Sequence, residues 1–266
     1  DTIGKRLPGL PRAWARVTLR QLLQHTSGLP DYSKAPAFVA ILNADPHHHF
    51  DSRKLLDFVR NEPLLFRPGS RYHYSNSDNV AVALMAEAVT GRPYEELLRT
   101  LVYRPLGLTQ TSLPQGFTLP EPYLHGYAVD PPNPPQDVST LFSASGAWAS
   151  GGIVSTPKDL TAFIRGYAGP TLISASTRRR QFSFVPGASE PAGPGTNAAG
   201  LAIFRYTTRC GTVYGHTGNF PGYTQLIAAT ADGSRSLTFS ISTQVTPALL
   251  AQLRSTQEDF VCQLLR

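Results

Sequence analysis

Three strand-like segments separated by two short turns occupy the last third of the chain. They are residues 212–218, 223–231 and 236–243, with Pro221-Gly222 and Asp232-Gly233 between them. Because connections this short join antiparallel neighbours, the segments predict a meander. A helical pattern starts after it at Thr246-Pro247, and its predicted buried side is formed by Leu249, Leu253, Phe260 and Leu264.

Helical patterns dominate the chain before this sheet. Helices are predicted after Thr18 as N-cap, at residues 52–61, from Asn76 to Gly91, and after Thr156 with Pro157 in its first position. Residues 31–50 predict a polar loop, and the seven prolines of residues 114–135 predict a long surface excursion. The order of the predicted elements is therefore a helical middle, then a sheet, then a covering helix.

The composition is that of an ordinary soluble globular protein, with 41% hydrophobic and 16% charged residues. No apolar run reaches the ~18 residues of a membrane helix, so we predict no membrane span. The net charge of +6 has one cluster, Arg178-Arg179-Arg180, which indicates a solvated surface rather than a nucleic-acid site. Consecutive histidines at 47–49 cannot all face one ion, so neither a metal nor a cofactor is predicted.

Two cysteines, Cys210 and Cys262, fit either one disulfide or two buried thiols. A bridge is the preferred interpretation. It would tie the last helix to the sheet, and it would imply an oxidising compartment. The sequence starts at Asp1, and Met85 is its only methionine. We therefore expect a mature form or a fragment, without its native start.

Two short motifs suggest chemistry, although each is weak alone. Tyr74-Ser75-Asn76 lies between a Pro-Gly turn and a predicted helix N-terminus. A tyrosine there, beside a cation, can act as a general base because its phenolate is stabilised. His216-Thr217-Gly218, on a predicted edge strand, would offer a donor, a hydroxyl and a glycine that admits a substrate backbone. A packed tyrosine, a capping asparagine and a plain strand are the structural alternatives.

Four longer strings carry a resemblance that covers nearly the whole chain. They are TLRQLLQHTSGL at 18–29, PGSRYHYSN at 68–76, GGIVST at 151–156 and GHTGN at 215–219. Together they resemble the serine beta-lactamase and D-alanyl-D-alanine carboxypeptidase superfamily, which includes the penicillin-binding proteins. Its secreted Streptomyces carboxypeptidases are the most similar branch, with a His-Thr-Gly and a similar pair of cysteines.

This resemblance implies an α+β fold of the beta-lactamase/transpeptidase type in one domain, residues 1–266. The domain would contain a mostly helical subdomain at residues 17–165 and a sheet with a C-terminal helix at residues 195–266. The resemblance also implies acyl transfer through a covalent acyl-serine. It assigns Tyr74 as base and proton shuttle, and Asn76 as the residue that holds a lysine and a substrate carbonyl. His216 and Thr217 would bind a terminal carboxylate, Gly218 would let substrate approach, and the Asn219 backbone N–H would line the oxyanion hole. The Cys210–Cys262 pairing fits the same branch. Substrates would be small peptides, amides or esters, with peptidoglycan stem peptides and beta-lactams among the candidates, and the protein a secreted or extracytoplasmic monomer.

The family's nucleophile is not found among these residues. Its Ser-x-x-Lys precedes the tyrosine motif, whereas the literal match here, Ser155 to Lys158, follows it and reads as a helix cap. We therefore expect the serine and lysine upstream of Asp1. His25-Thr26-Ser27 places a serine too close to its would-be base, and Ser77-Asp78-Asn79 overlaps the helix start.

Two departures from the Streptomyces branch leave alternatives open. Phe204 stands where that branch has a carboxylate-binding arginine, with Arg205 next to it, and Asn219 replaces a threonine. An esterase or a D-amino-acid amidase with the same machinery is therefore one alternative. A catalytically inactive fragment or a binding relative is the other.

Overall fold

The computed structural model describes all of residues 1–266, and the chain divides into two compact units. The first comprises residues 1–101, 112–118 and 140–154, and the second comprises residues 102–111, 119–139 and 155–266. The predicted helical subdomain, 17–165, therefore omits the start of the first unit and includes three stretches of the second. The chain contributes to the units in alternating stretches.

Short helices surround one longer helix in the first unit. The α-helices are α1 (Ile3–Arg6), α2 (Leu19–Leu23), α3 (Pro36–Ala44), α4 (Asn76–Thr90) and α5 (Tyr94–Leu98). Shorter 3-10 helices lie at Arg12–Trp14, Tyr32–Lys34, Ser52–Phe58, Ala144–Gly146 and Trp148–Ser150, and a π-helical turn at Arg99–Tyr103. The core gathers around α4, where the small buried side chains of Val80, Ala81 and Ala83 let bulky neighbours approach. These neighbours are Trp14, Leu22, Tyr32, Leu55 and Trp148.

The predicted helix ends are confirmed where local capping chemistry decides them. Thr18 accepts a hydrogen bond from the Gln21 N–H, and the Gln21 side chain accepts from the Thr18 N–H, which makes a capping box for α2. α4 ends at Gly91, whose φ of 67° lies in the left-handed region.

One prediction in the first unit was wrong, and another was confirmed only in part. Residues 31–50 are not a continuous loop, because Pro36 starts helix α3 and Phe38 anchors it in the core. The helix predicted at residues 52–61 is present, but it is the shorter 3-10 helix Ser52–Phe58, which buries Leu55 and Leu56. In both places tertiary packing outweighed the local polar or periodic pattern.

A six-stranded antiparallel sheet forms the centre of the second unit. A separate small hairpin pairs β1 (Tyr127–Ala128) with β2 (Gln136–Asp137), inside the proline-rich stretch. The sheet strands are neighbours in chain order: β3 (Val185–Pro186), β4 (Thr196–Ala199), β5 (Phe204–Thr208), β6 (Gly211–Phe220), β7 (Tyr223–Ala229) and β8 (Ser236–Ile241). The predicted meander is therefore confirmed as its last three strands.

The remaining helices are α6 (Arg104–Leu106), α7 (Pro157–Ala168), α8 (Ala175–Gln181) and α9 (Leu250–Leu265). Thr156 caps α7, and Pro157 occupies its first turn, as predicted. On β8, Thr238 bonds Thr161 of α7 while its neighbour Phe239 packs against Phe260 of α9. Since successive strand residues point to opposite faces, α7 and α9 cover opposite faces of the sheet.

The buried side of α9 differs from the predicted one. Leu253 is buried, but Leu249 and Phe260 are 49% and 50% exposed. Val261 and Cys262 are buried instead, and Cys262 is bridged to Cys210 with their Cα atoms 5.2 Å apart. The bridge joins α9 to the turn between β5 and β6, which rotates the helix relative to the face that leucine spacing indicated. The preferred cysteine interpretation is thus confirmed.

Candidate active site

Tyr74, Ser75 and Asn76 form the entry to helix α4. The chain reverses before them at Gly69, whose φ is 84° and whose N–H donates to the Thr26 carbonyl at 2.7 Å. Ser75 is the N-cap in extended conformation, and Asn76 is the first helical residue. Tyr74 is buried, and it lies directly before the N-cap of α4, the positive end of the helix dipole.

The Asn76 amide has a fixed orientation. Its Nδ2 donates to Asp31 Oδ2 at 3.1 Å and to Ser33 Oγ at 3.0 Å. Because an ionised carboxylate only accepts, Nδ2 must face Asp31, and Oδ1 points away from it. An amide nitrogen has two hydrogens, and both are used here. No local pattern indicates Asp31 or Ser33 as partners, since they lie more than 40 positions away.

A buried polar cluster lies next to Tyr74. His25 Nδ1 is 3.0 Å from Asp78 Oδ2, and Ser27 Oγ donates to Asp78 Oδ1 at 2.5 Å. Ser27 therefore bonds the carboxylate and not the imidazole, so His25 and Ser27 do not form a nucleophile and base pair. Asp78 lies in the first turn of α4 and takes part in this cluster. Burial raises the pKa of Asp78, while the hydrogen bonds from His25 and Ser27 oppose that rise.

Strand β6 carries His216, Thr217 and Gly218, and it is an internal strand rather than the predicted edge strand. The pairing between β5 and β6 stops at Gly215 of β6, which lies opposite Phe204, the first residue of β5. Residues 216–220 pair with β7 alone. Within the sheet, this half of β6 therefore has one open side, which gives it the hydrogen-bonding character of an edge.

The two glycines on either side of His216 and Thr217 differ in what surrounds them. A Cβ on Gly215 would lie 1.8 Å from the Ile227 carbonyl oxygen of β7, so the fold itself requires glycine there. A Cβ on Gly218 would meet only Gln225 Cβ, at 3.9 Å. Nothing within the chain needs a glycine at 218, which is consistent with a position that something else approaches closely.

His216 and Thr217 already have partners in the second unit. The His216 Nδ1 lies 2.5 Å from the Thr217 carbonyl oxygen, and its ring meets Phe204 edge-on at 5.0 Å. The Thr217 hydroxyl donates to the Pro191 carbonyl at 2.5 Å. Phe204 is buried, so the position that differs from the Streptomyces branch contributes an apolar wall to His216.

Asn219 uses its side chain to hold the end of the strand. Its Oδ1 accepts from the Thr224 hydroxyl at 2.6 Å, and its Nδ2 donates to the Val245 carbonyl at 3.2 Å. The side chain is thus occupied by structure, and only the backbone N–H is relevant to the predicted oxyanion role. Tyr74 and Asn76 belong to the first unit, and residues 216–219 belong to the second.

The remaining candidates have structural surroundings. Ser155 Oγ is 2.8 Å from Thr111 Oγ1, just before the capped start of α7 that contains Lys158. His47 and His49 each contact a backbone carbonyl, those of Thr140 and Gln115. No group of three or more His, Cys, Asp or Glu side chains is arranged to hold a metal ion, and none of the helices is long and apolar enough to cross a membrane.

Comparison with known proteins gives consistent relatives. A family model described as Beta-lactamase matches residues 1–259. Penicillin-binding protein 4* of Bacillus subtilis is 28% identical over 254 residues, covering 90% of this chain and 54% of that protein. A putative D-alanyl-D-alanine carboxypeptidase of Escherichia coli is 27% identical over 222 residues, covering 81% and 45%. The chain thus spans about half the length of these curated relatives.

Solved structures share the fold. A D-stereospecific amidohydrolase from Streptomyces sp. superposes with a TM-score of 0.84 and 29% identity, over 96% of this chain and 78% of that one. D-amino acid amidase from Ochrobactrum anthropi gives a TM-score of 0.79 at 25% identity, over 91% and 69%. The chain therefore has the beta-lactamase/transpeptidase-like fold, and it belongs to the beta-lactamase family, whose members are serine hydrolases.

Proposed function

We propose that this chain carries the tyrosine and strand parts of an acyl-transfer site that hydrolyses small peptides, amides or esters through an acyl-serine. The observation that carries the proposal is the open side of β6 at residues 216–220, where Gly218 has space that the chain does not fill. An extended acyl group can pair with such a half-strand through its backbone, as peptides do in strand addition. The serine and its lysine would belong to a Ser-x-x-Lys segment that precedes Asp1.

Tyr74 would take the proton from the serine and pass it to the leaving group. The α4 N-terminus favours the phenolate form that this role needs, and a neighbouring lysine would strengthen the effect. Asn76 would hold that lysine through Oδ1, the only amide atom not committed to Asp31 or Ser33. The same geometry disfavours a contact from Asn76 to a substrate carbonyl, because no amide hydrogen is left to donate.

His216 and Thr217 would recognise the end of the substrate. Thr217 would exchange its present acceptor, the Pro191 carbonyl, for a substrate oxygen, and Gly218 would let the substrate backbone lie close to the strand. The backbone N–H of Asn219, with that of the upstream serine, would stabilise the oxyanion. A donor placed in this way typically contributes a factor of roughly 10² to 10³ in rate.

A D-amino-acid amidase or esterase is the second candidate, and Phe204 favours it. Its ring faces His216, whereas the neighbouring Arg205 lies 4.9 Å above the Phe184 ring. An apolar wall suits a neutral amide or ester better than a terminal carboxylate, which needs a cation. Two similar solved structures are a D-stereospecific amidohydrolase and a D-amino acid amidase. Hydrolysis of a D-amino acid amide at a higher kcat/KM than a D-alanyl-D-alanine peptide would support this candidate.

The disulfide and the relatives support a proposal for where the reaction takes place. A structural Cys210–Cys262 bridge persists in oxidising compartments, and the curated relatives include a penicillin-binding protein. We propose a secreted or extracytoplasmic monomer, with peptidoglycan stem peptides and beta-lactams as substrates to test. Size-exclusion chromatography with light scattering checks the monomer.

Intact-mass labelling tests the proposal directly. The 266-residue chain and the longer gene product are each incubated with a fluorescent penicillin and with an alkyl fluorophosphonate. We expect stoichiometric labelling of the longer product alone. Labelling of the 266-residue chain would contradict an upstream nucleophile, and no labelling of either protein would favour the inactive or binding relative.

A further inference from the structure

His25 has a backbone conformation that is uncommon for residues other than glycine. Its φ is 52°, in the left-handed region, and its side chain is nearly buried, at 4% exposure. Such a conformation persists where surrounding contacts fix it, and it often marks a functional position. Here the His25 carbonyl accepts from the His73 N–H at 2.8 Å, and the adjacent Thr26 carbonyl accepts from Gly69.

His25 contacts three consecutive residues centred on Tyr74. The first is His73, through the backbone hydrogen bond. The second is Tyr74 itself, whose ring centroid lies 4.2 Å from the imidazole centroid with the planes tilted by 30°. The third is Ser75, whose backbone N lies 3.5 Å from Nδ1. The imidazole therefore supports the tyrosine ring and the chain on both sides of it.

The imidazole is itself held by a satisfied buried network. Asp78 is fully buried and accepts from the His25 ring and from the Ser27 hydroxyl. Ser27 Oγ in turn accepts from the Leu29 N–H at 2.9 Å. Asp78 belongs to α4, so a residue of this helix sets the plane of the imidazole ring. The helix that begins at Asn76 thus also orients the ring beside Tyr74.

We propose that His25 is a positioning residue for Tyr74, and that Asp78 and Ser27 lock the imidazole in place. This inference rests on the proposed role of Tyr74 in proton transfer. Two sequence motifs that the proposed reaction does not use, His25-Thr26-Ser27 and Ser77-Asp78-Asn79, thereby share one role, the positioning of Tyr74. Without this support, Tyr74 keeps its hydroxyl, but the hydroxyl is no longer held in its reactive position. A displacement of about 1 Å can lower a rate by roughly 10²-fold.

A substitution of His25 by Asn separates ring support from backbone geometry. Asparagine tolerates the left-handed conformation and can still bond Asp78, but it has no ring to place against Tyr74. His73→Asn is the matched control, since it makes the same chemical change one residue from Tyr74 at an exposed side chain. Asp78→Asn is a second variant, which keeps the imidazole and the side-chain volume but weakens the lock.

The first measurement is made on the 266-residue chain and needs no activity. The NMR resonances of the Tyr74 ring are assigned by their absence from the spectrum of Tyr74→Phe. We expect the ring-current shift from the imidazole to disappear in His25→Asn, to shrink in Asp78→Asn and to stay unchanged in His73→Asn. Unchanged Tyr74 resonances in a folded His25→Asn protein would overturn the proposal, as would unchanged resonances in Asp78→Asn if His25→Asn does not fold.

The second measurement is made on the longer gene product with active sites counted by titration. For His25→Asn we expect kcat to fall by about 10- to 100-fold with KM within about twofold, and no change for His73→Asn. A merely structural role would lower the number of active sites and leave kcat per site intact, which would overturn the proposal. Full activity of Tyr74→Phe would instead remove the proposed function, while the NMR result would still decide whether His25 sets the tyrosine ring.

Discussion

The two motif regions are held in place by different means. Tyr74 and Asn76 are fixed by polar side chains from distant positions, Asp31 and Ser33 for the amide and His25 for the ring. Residues 216–219 are fixed by the register of β6 against β7 and by backbone geometry. The tyrosine region depends on a network of polar side chains, and the strand region on a ladder of backbone hydrogen bonds that tolerates many side chains but few backbone changes.

This difference predicts how each region responds to substitution. In the tyrosine region, the loss of a single polar atom should lower the reaction rate, because each polar contact there has a unique partner. Changes in the strand region should act on stability where the sheet is closed, and on rate where its side is open. Four experiments test this contrast, in order of expected effect.

The largest effect is expected for Tyr74→Phe in the longer gene product. Loss of the phenolic oxygen removes the proposed base, so acylation should fall by roughly 10² to 10⁴. Tyr72→Phe is the matched control, with the same atom removed two residues earlier, and should acylate normally. Stopped-flow acylation with a chromogenic beta-lactam or ester measures both. Near-normal acylation by Tyr74→Phe removes it from the mechanism.

Removal of the disulfide should act on the strand region alone. The bridge closes a separation of 52 residues, and the chain-entropy relation gives about 4 kcal/mol for such a loop. Urea unfolding of the Cys210→Ser, Cys262→Ser double variant should show a loss approaching this value. Arg209→Ala, which breaks exposed ion pairs to Glu258 and Asp259 beside the bridge, should cost less than about 1 kcal/mol. Equal losses would show that the bridge adds little.

Two matched glycine substitutions separate the closed and open parts of β6. Gly215→Ala forces a Cβ against the Ile227 carbonyl and should destabilise the chain by about 3 kcal/mol. Gly218→Ala meets no such obstacle and should leave the melting temperature within about 2 °C of wild type, since surface changes of this kind stay within ~0.5 kcal/mol. In the longer gene product it should raise KM for an extended substrate. A large loss of stability at Gly218 would contradict the open side.

The smallest effect is a pair of opposite pKa shifts at two carboxylates that each contact a histidine. Burial raises the pKa of Asp78 beside His25, with the Asp31 charge adding to the rise. Asp137 is exposed, and hydrogen bonds from Ser139 and then His125 lower its pKa to about 2. Carboxyl ¹³C titration, assigned with Asp→Asn variants, should find Asp78 above and Asp137 below the usual ~3.9.

The two shifts have opposite consequences for stability. Folded Asp78 binds its proton more tightly than the unfolded chain, so its contribution to stability grows as pH falls through its raised pKa toward ~4. The contribution of Asp137 is complete above ~4 and is lost as pH falls through about 2. A usual pKa at both Asp78 and Asp137 would contradict the expected effect of their different surroundings.

Several elements could be read directly from the chain because their signals are local. The caps at Thr18 and Thr156 and the stop at Gly91 involve residues within four positions of one another. Helix α3 was missed because its stability comes from Phe38 in the core. The exposed Phe260 was misplaced because the Cys210–Cys262 bridge, between residues 52 positions apart, sets the rotation of α9.

The candidate site divides in the same way. The motif residues and the chemistry that we propose for them were readable from short strings, and the family assignment is consistent with that chemistry. The orientation of the Asn76 amide, the support of Tyr74 by His25, and the wall that Phe204 makes for His216 were not. Each involves a partner at least 12 positions away, so no local pattern encodes it.

The amino-acid sequence was enough to predict the meander, the helix caps and the set of residues from which a site could be built, and its family resemblance implied the α+β class. The meander and the caps depend on backbone preferences and side-chain periodicity, which act over a few residues. Three-dimensional contacts were needed to establish that β6 is internal with one open half, that Gly215 is required and Gly218 is not, and that a buried carboxylate orients His25. Those features depend on contacts between distant segments, where burial and hydrogen-bond satisfaction outweigh local preference.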